Sequence, residues 1–170
     1  PYTPATSLLY GLREALHMLL EEEGLDQVFA RHARLAEATR RAVRAWGLEI
    51  LCLNAAEYSN TLTAVLVPEG HDADNLRATI LERFDMSLGM GLGRLAGRVF
   101  RIGHLGYFND LMLCGTLCGV EMGLELAAVP HKKGGIQAAM RYLVDPRAKE
   151  READRTASVK QRASKTGISK

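Results

Sequence analysis

Few residues in this chain are placed to do chemistry, and the most conspicuous is an arginine inside an apolar run. Residues 98–106 read RVFRIGHLG, which sets Arg101 between Phe100 and Ile102, with glycines two and five residues on. An arginine is seldom buried alone, because withdrawing its charge from water is costly. Either a carboxylate of the fold pairs with it permanently, or it waits for an anion. A planar guanidinium takes a carboxylate through two parallel hydrogen bonds, and glycine neighbours on a fixed strand let a small acid come close. Spacing alone leaves both readings open.

The other candidates are weaker. His104 has no Asp, Ser or Cys spaced to complete a triad, so a structural role is expected, as for His17 and His32 within helices. Arg13 and Glu14 read as surface charges or a helix–helix pair. The stretch GMGLGRLAG invites comparison with a phosphate cradle, but a dinucleotide fingerprint runs strand, glycine turn, helix. Here the glycines precede a strand, so the segment reads as a closely approached loop that can line a pocket beside Arg101. Cys52, Cys114 and Cys118 are odd in number and lack metal-type pairing; they read as small buried residues of a reducing compartment. Cys114 and Cys118, four apart, share a helix face. All six lysines lie at or beyond Lys132, none in an apolar element. A Schiff-base lysine needs a desolvated pocket, so this chain has no candidate for one.

The elements that must position Arg101 follow from periodicity. Leu8, Leu9, Leu12, Leu16, Leu19 and Leu20 predict an amphipathic helix stopped at Gly24. A second helix runs from about Asp26 to Trp46, with Val28, Phe29, His32, Leu35, Ala36, Thr39 and Val43 inward, an arginine-rich outer face, and Gly47 as its end. The period then changes to that of strands over Leu48–Leu53 and Thr61–Val67. DADNLRATILERF is a helix capped by Asp72 or Asp74, with Leu76, Ile80, Leu81 and Phe84 inward. A short strand is expected near Met86–Leu88, and another over Val99–Ile102. Asn109 or Asp110 caps a helix whose Gly, Cys and Ala content suggests close packing against a sheet, and a short helix follows Gly134 and Gly135. This order predicts an α+β domain, a small antiparallel sheet with helices packed on one face.

Composition sets the limits. At 170 residues, 47% apolar and 25% charged, the chain has the balance of one soluble globular domain. No apolar run approaches the ~18 residues of a membrane span, so no membrane partner is expected. No signal peptide opens the chain, which begins at Pro1 and reads as a processed product or a piece of something longer. The net charge of +2 is uneven: from Arg147 onward eight Lys/Arg face three Asp/Glu, so the rest is −3. That basic end reads as a polar tail over residues 145–170, expected to be disordered, and no nucleic-acid partner is expected.

At this point a resemblance enters. PYTPATSLLYGLREALHMLLEEEGLDQVFARHARLAEATRRAVRAWGLE, SNTLTAVLVPEGHDA, SLGMGLGRLAGRVFRIGHLG and LCGVEMGLELAAVPH together resemble the serine–glyoxylate aminotransferases. These lie in the alanine–glyoxylate branch of the class V aminotransferases, which use pyridoxal 5'-phosphate (PLP). The resemblance runs from Pro1 to about Leu143 and covers only the C-terminal part of those enzymes. It implies a division into residues 1–46, the end of a large domain with connecting helices, and residues 47–144, the small domain of a fold-type-I aminotransferase. It implies that Arg101 holds the α-carboxylate of amino- and keto-acid substrates, and that Thr3, with Tyr2 beside it, helps hold the cofactor phosphate across a homodimer interface. It also implies that the Schiff-base lysine lies outside this chain, which alone is expected to be inactive. The complete enzyme would move an amino group from serine or alanine to glyoxylate, giving glycine. A non-catalytic carboxylate-binding or dimerisation module of the same fold is the alternative. The ending GISK is not the peroxisomal signal, which leaves the cytoplasm as the default.

Overall fold

The computed structural model of the chain describes residues 4–145. Its α-helices are α1 (Thr6–His17), α2 (Leu25–Trp46), α3 (Ala73–Phe84), α4 (Asp110–Leu126) and α5 (Gly135–Leu143), and the predicted first helix continues past α1 as a π-helix over Met18–Glu23 up to Gly24. Its strands are β1 (Glu49–Ile50), β2 (Leu62–Leu66), β3 (Gly89–Met90) and β4 (Val99–Gly103). The strands form one sheet of order β1-β2-β4-β3, antiparallel at every pairing. Strand alternation sends Val65, Phe100 and Ile102 to one face, where they join Leu35 and Val43 of α2, Leu76 and Ile80 of α3, Leu113 and Leu117 of α4, and Ala139 of α5. One helical layer on one sheet face is the predicted α+β architecture.

The helix ends follow local chemistry. Gly47 adopts φ 77 after Trp46 and closes α2, a left-handed position that glycine takes without strain. The Asp72 side chain accepts from Asp74 N–H to start α3, and that of Asn109 accepts from Met112 N–H to start α4. Glu121 on α4 joins three elements: its carboxylate accepts from the Trp46 indole N–H (2.9 Å), Gly134 N–H (2.7 Å) and Ile136 N–H (3.0 Å). Burial alone would raise the Glu121 pKa, but these three bonds outweigh it and hold the carboxyl below its ordinary value.

Several expectations are corrected. The first extended segment is cut to Glu49–Ile50, because the Asn54 side chain caps a 3₁₀ turn at Ala55–Glu57 and leads the chain off the sheet edge. β3 falls at Gly89–Met90 rather than Met86–Leu88; Leu88 instead buries its side chain while its carbonyl accepts from Arg77. Leu81 is exposed, because α3 buries Ala73, Leu76 and Ile80 and the next residue turns about 100° away. Phe29 is half-exposed because the core cluster takes up α2 only from Leu35 onward. The small residues of α4 make room for another helix rather than for the sheet: a Cβ on Gly123 would fall on the Ile80 side chain. Cys118 is exposed and Cys114 half-buried, with burial raising the Cys114 thiol pKa.

Candidate substrate-binding site

Arg101 is the middle residue of β4 and points to the face opposite Phe100 and Ile102. Its neighbours across the sheet are Ala64 on β2 and Gly89 on β3. The two positions that flank its side chain therefore carry two of the smallest residues, and the arginine lies close against Gly89. No carboxylate pairs with it among the described residues, and its buried Nε has no hydrogen-bond partner. The structural ion pair that spacing left open is absent among these residues. A partly buried guanidinium with no carboxylate partner is a costly arrangement unless an anion completes it.

His104, three residues on, belongs to the other side. It is fully buried, with Nε2 2.9 Å from Thr63 Oγ1 and Nδ1 3.2 Å from the Asn60 carbonyl. Burial pushes its pKa down to about 4, so the ring is neutral, donating from one nitrogen and accepting on the other. This is a core histidine, as expected, and it does not meet Arg101.

The loop that follows β4 is tied to α2 by residues that local patterns do not mark. Arg31 donates to both carboxylate oxygens of Glu23 (2.7 Å each) and through Nη1 to the carbonyl of Gly106 (2.6 Å). The bond to Arg31 lowers the Glu23 pKa, and the same bond raises that of Arg31. His32 donates from Nδ1 to Val28 O and accepts on Nε2 from Gly106 N–H (3.1 Å). Gly106 itself sits at φ +79. Arg34 grips Asp110 with two bonds and also reaches the Leu143 carbonyl. The contacts to Gly106 and Asp110 span 74 to 76 residues of chain, so only the arginine-rich face of α2 hinted at them in sequence.

Tyr2 and Thr3 lie outside the described residues, as does the tail beyond Asp145. Of the lysines, Lys132 lays its side chain against Gly47 and Lys133 is exposed beside Glu125. The described residues thus offer a group for a carboxylate and no enclosed amine for a cofactor aldehyde. No described helix is long and apolar enough to cross a membrane.

No protein-family model matches the chain. Known proteins do. Serine–glyoxylate aminotransferase of Arabidopsis thaliana is 51% identical over 144 residues, and that of Hyphomicrobium methylovorum is 50% identical over 143. Over most of its length, this chain is homologous to serine–glyoxylate aminotransferases. The matches cover 84% of the chain but only 36% and 35% of these two relatives, so it spans about a third of their length. Two solved structures agree in fold at a TM-score of 0.76. Ureidoglycine–glyoxylate aminotransferase of Bacillus subtilis is 32% identical, covering 82% of this chain and 36% of its own. Pyridoxamine–pyruvate aminotransferase of Mesorhizobium loti is 34% identical, covering 83% and 36%. The homology and the small-domain fold agree with the resemblance read from the quoted motifs.

Proposed function

We propose that this chain is the substrate-carboxylate-binding part of a transaminase that moves an amino group from serine or alanine to glyoxylate, giving glycine. The observation that carries the reading is Arg101: a guanidinium without a partner among the described residues, on the face opposite Phe100 and Ile102, between Ala64 and Gly89. Such a group takes the α-carboxylate of a small amino or keto acid and fixes its orientation. In the complete enzyme PLP would supply the electron sink for transfer of the amino group. Tyr2 and Thr3 would help hold its phosphate across a homodimer interface, and the Schiff-base lysine would come from outside this chain. Residues 1–46 would connect to a large domain, residues 47–144 form the small domain, and residues 145–170 a tail. The chain by itself is then expected to be inactive, and its compartment is the cytoplasm.

Titration with glyoxylate, followed by NMR, tests the clamp without requiring turnover. Arg101→Ala should abolish saturable binding, and Arg101→Lys should weaken it, since one ammonium cannot reproduce the two-pronged contact. Unchanged glyoxylate binding by the alanine variant would refute the assignment.

A further inference from the structure

We propose that Gly89 is the positioning residue of the Arg101 clamp: its missing side chain lets the guanidinium lie along β3 with Nε enclosed, presenting both Nη groups end-on to the acid. This rests on the reading of Arg101 as the carboxylate clamp. Gly89 and Arg101 are directly paired across β3 and β4. A Cβ built on Gly89 would stand 3.0 Å from Arg101 Cβ, 3.1 Å from Nε and 3.5 Å from Cζ. It would therefore touch the fixed root and the planar end of the side chain together. The root cannot yield without moving β4, whose other side is zipped to β2 over five residue pairs. The contact with the root needs a shift of a few tenths of an ångström from β3, a two-residue edge strand, and the contact with Nε and Cζ is relieved by the guanidinium turning aside.

The same contact decides how an acid approaches. A carboxylate can take an arginine side-on, through Nε and one Nη, or end-on, through both Nη groups. Nε is enclosed and without a partner among the described residues, so the side-on edge is shut. Neither Nη1 nor Nη2 bonds a described residue, and Arg101 as a whole is only partly buried. The end-on fork is what remains for a ligand. Gly89 thus acts through Arg101 and need not touch the acid.

The test uses the full chain, glyoxylate as probe, and the arginine Nε–H signals in nitrogen-15 NMR spectra. In the unaltered protein the Arg101 Nε–H should exchange with water more slowly than that of exposed Arg83, before any ligand is added. Gly89→Ala should shift that resonance and weaken glyoxylate binding about fivefold or more, because misorienting a two-pronged contact forfeits most of its second bond. Its melting temperature should stay near that of the parent. Gly115→Ala, which meets open space on α4, should change neither property. If Arg101→Ala abolishes binding while Gly89→Ala binds as tightly as the parent, with its Nε–H unmoved, the role of Gly89 falls and the clamp stands. If Arg101→Ala binds normally, the clamp falls and this inference with it. Should Gly89→Ala fail to fold, the exchange measurement still decides, since a freely exchanging Arg101 Nε–H overturns the enclosed geometry.

Discussion

Arg101 and His104 are three residues apart on one stretch of chain, and the sheet gives them opposite work. Alternation turns Arg101 away from the core face and buries His104 on it, where His104 bonds Thr63 and Asn60. That burial has a pH signature. The folded-state pKa of His104 lies near 4, below the ordinary value of 6.5, so the unfolded chain binds the extra proton more readily. The contribution of His104 to stability is complete above pH 6.5 and is lost as pH falls towards 4, with a slope of at most about 1.4 kcal/mol per pH unit. Urea denaturation at pH 7, 5.5 and 4.5 should show this loss, and His104→Gln should show a shallower slope over the same range. Equal slopes would mean that other groups carry the acid sensitivity.

At the scale of elements, Glu121 is the joint between α4, the end of α2 and the start of α5. Three donors converge on one carboxylate, and glutamine keeps only one of the two accepting oxygens. Glu121→Gln should lower stability by about 2 kcal/mol, because a donor left buried without its acceptor costs more than the bond itself was worth. Calorimetry at pH 7 measures it, and a loss under about 0.5 kcal/mol would show that water replaces the missing oxygen. A second expectation concerns α5: a Cβ on Gly135 would fall on the Trp46 indole, so Gly135→Ala should destabilise the fold strongly and perturb tryptophan fluorescence. Helices were largely legible in sequence, since their 3.6-residue stripes and the caps at Gly47, Asp72 and Asn109 are local features. Strand limits were less so. Leu51 N–H still donates to the Ala64 carbonyl; whether Cys52 and Leu53 stay in the sheet depends on an Asn54 cap, and whether Leu88 or Gly89 pairs with β4 depends on what fits beside Arg101. The arginine was visible from its apolar surroundings. Its setting was not, because Ala64 and Gly89 become its neighbours only through strand register, and the Arg31 and His32 ties to Gly106 arise only through tertiary folding.

At the scale of the whole molecule, α1 stands apart from the rest. It buries none of its residues, and Leu8, Leu9, Leu12 and Leu16 are between 44% and 74% exposed. An amphipathic helix whose apolar stripe meets nothing is unusual, since each leucine covered would gain about 1.5–3 kcal/mol. The chain spans about a third of the length of its aminotransferase relatives, and the rest of such a protein is a natural cover for that stripe. When the 170-residue chain is prepared alone, the stripe should drive self-association, measurable as a concentration-dependent sedimentation coefficient. Leu9→Glu with Leu16→Glu should abolish that dependence and leave the melting temperature within about a degree, because neither leucine belongs to the core and surface substitutions of this kind stay within about 0.5 kcal/mol. If the double variant instead melts several degrees lower, α1 is held against the folded body more firmly than its exposure implies. If it still associates, a different apolar surface drives the contact, and the exposed Leu105, Tyr107 and Leu111 after β4 are the next to replace.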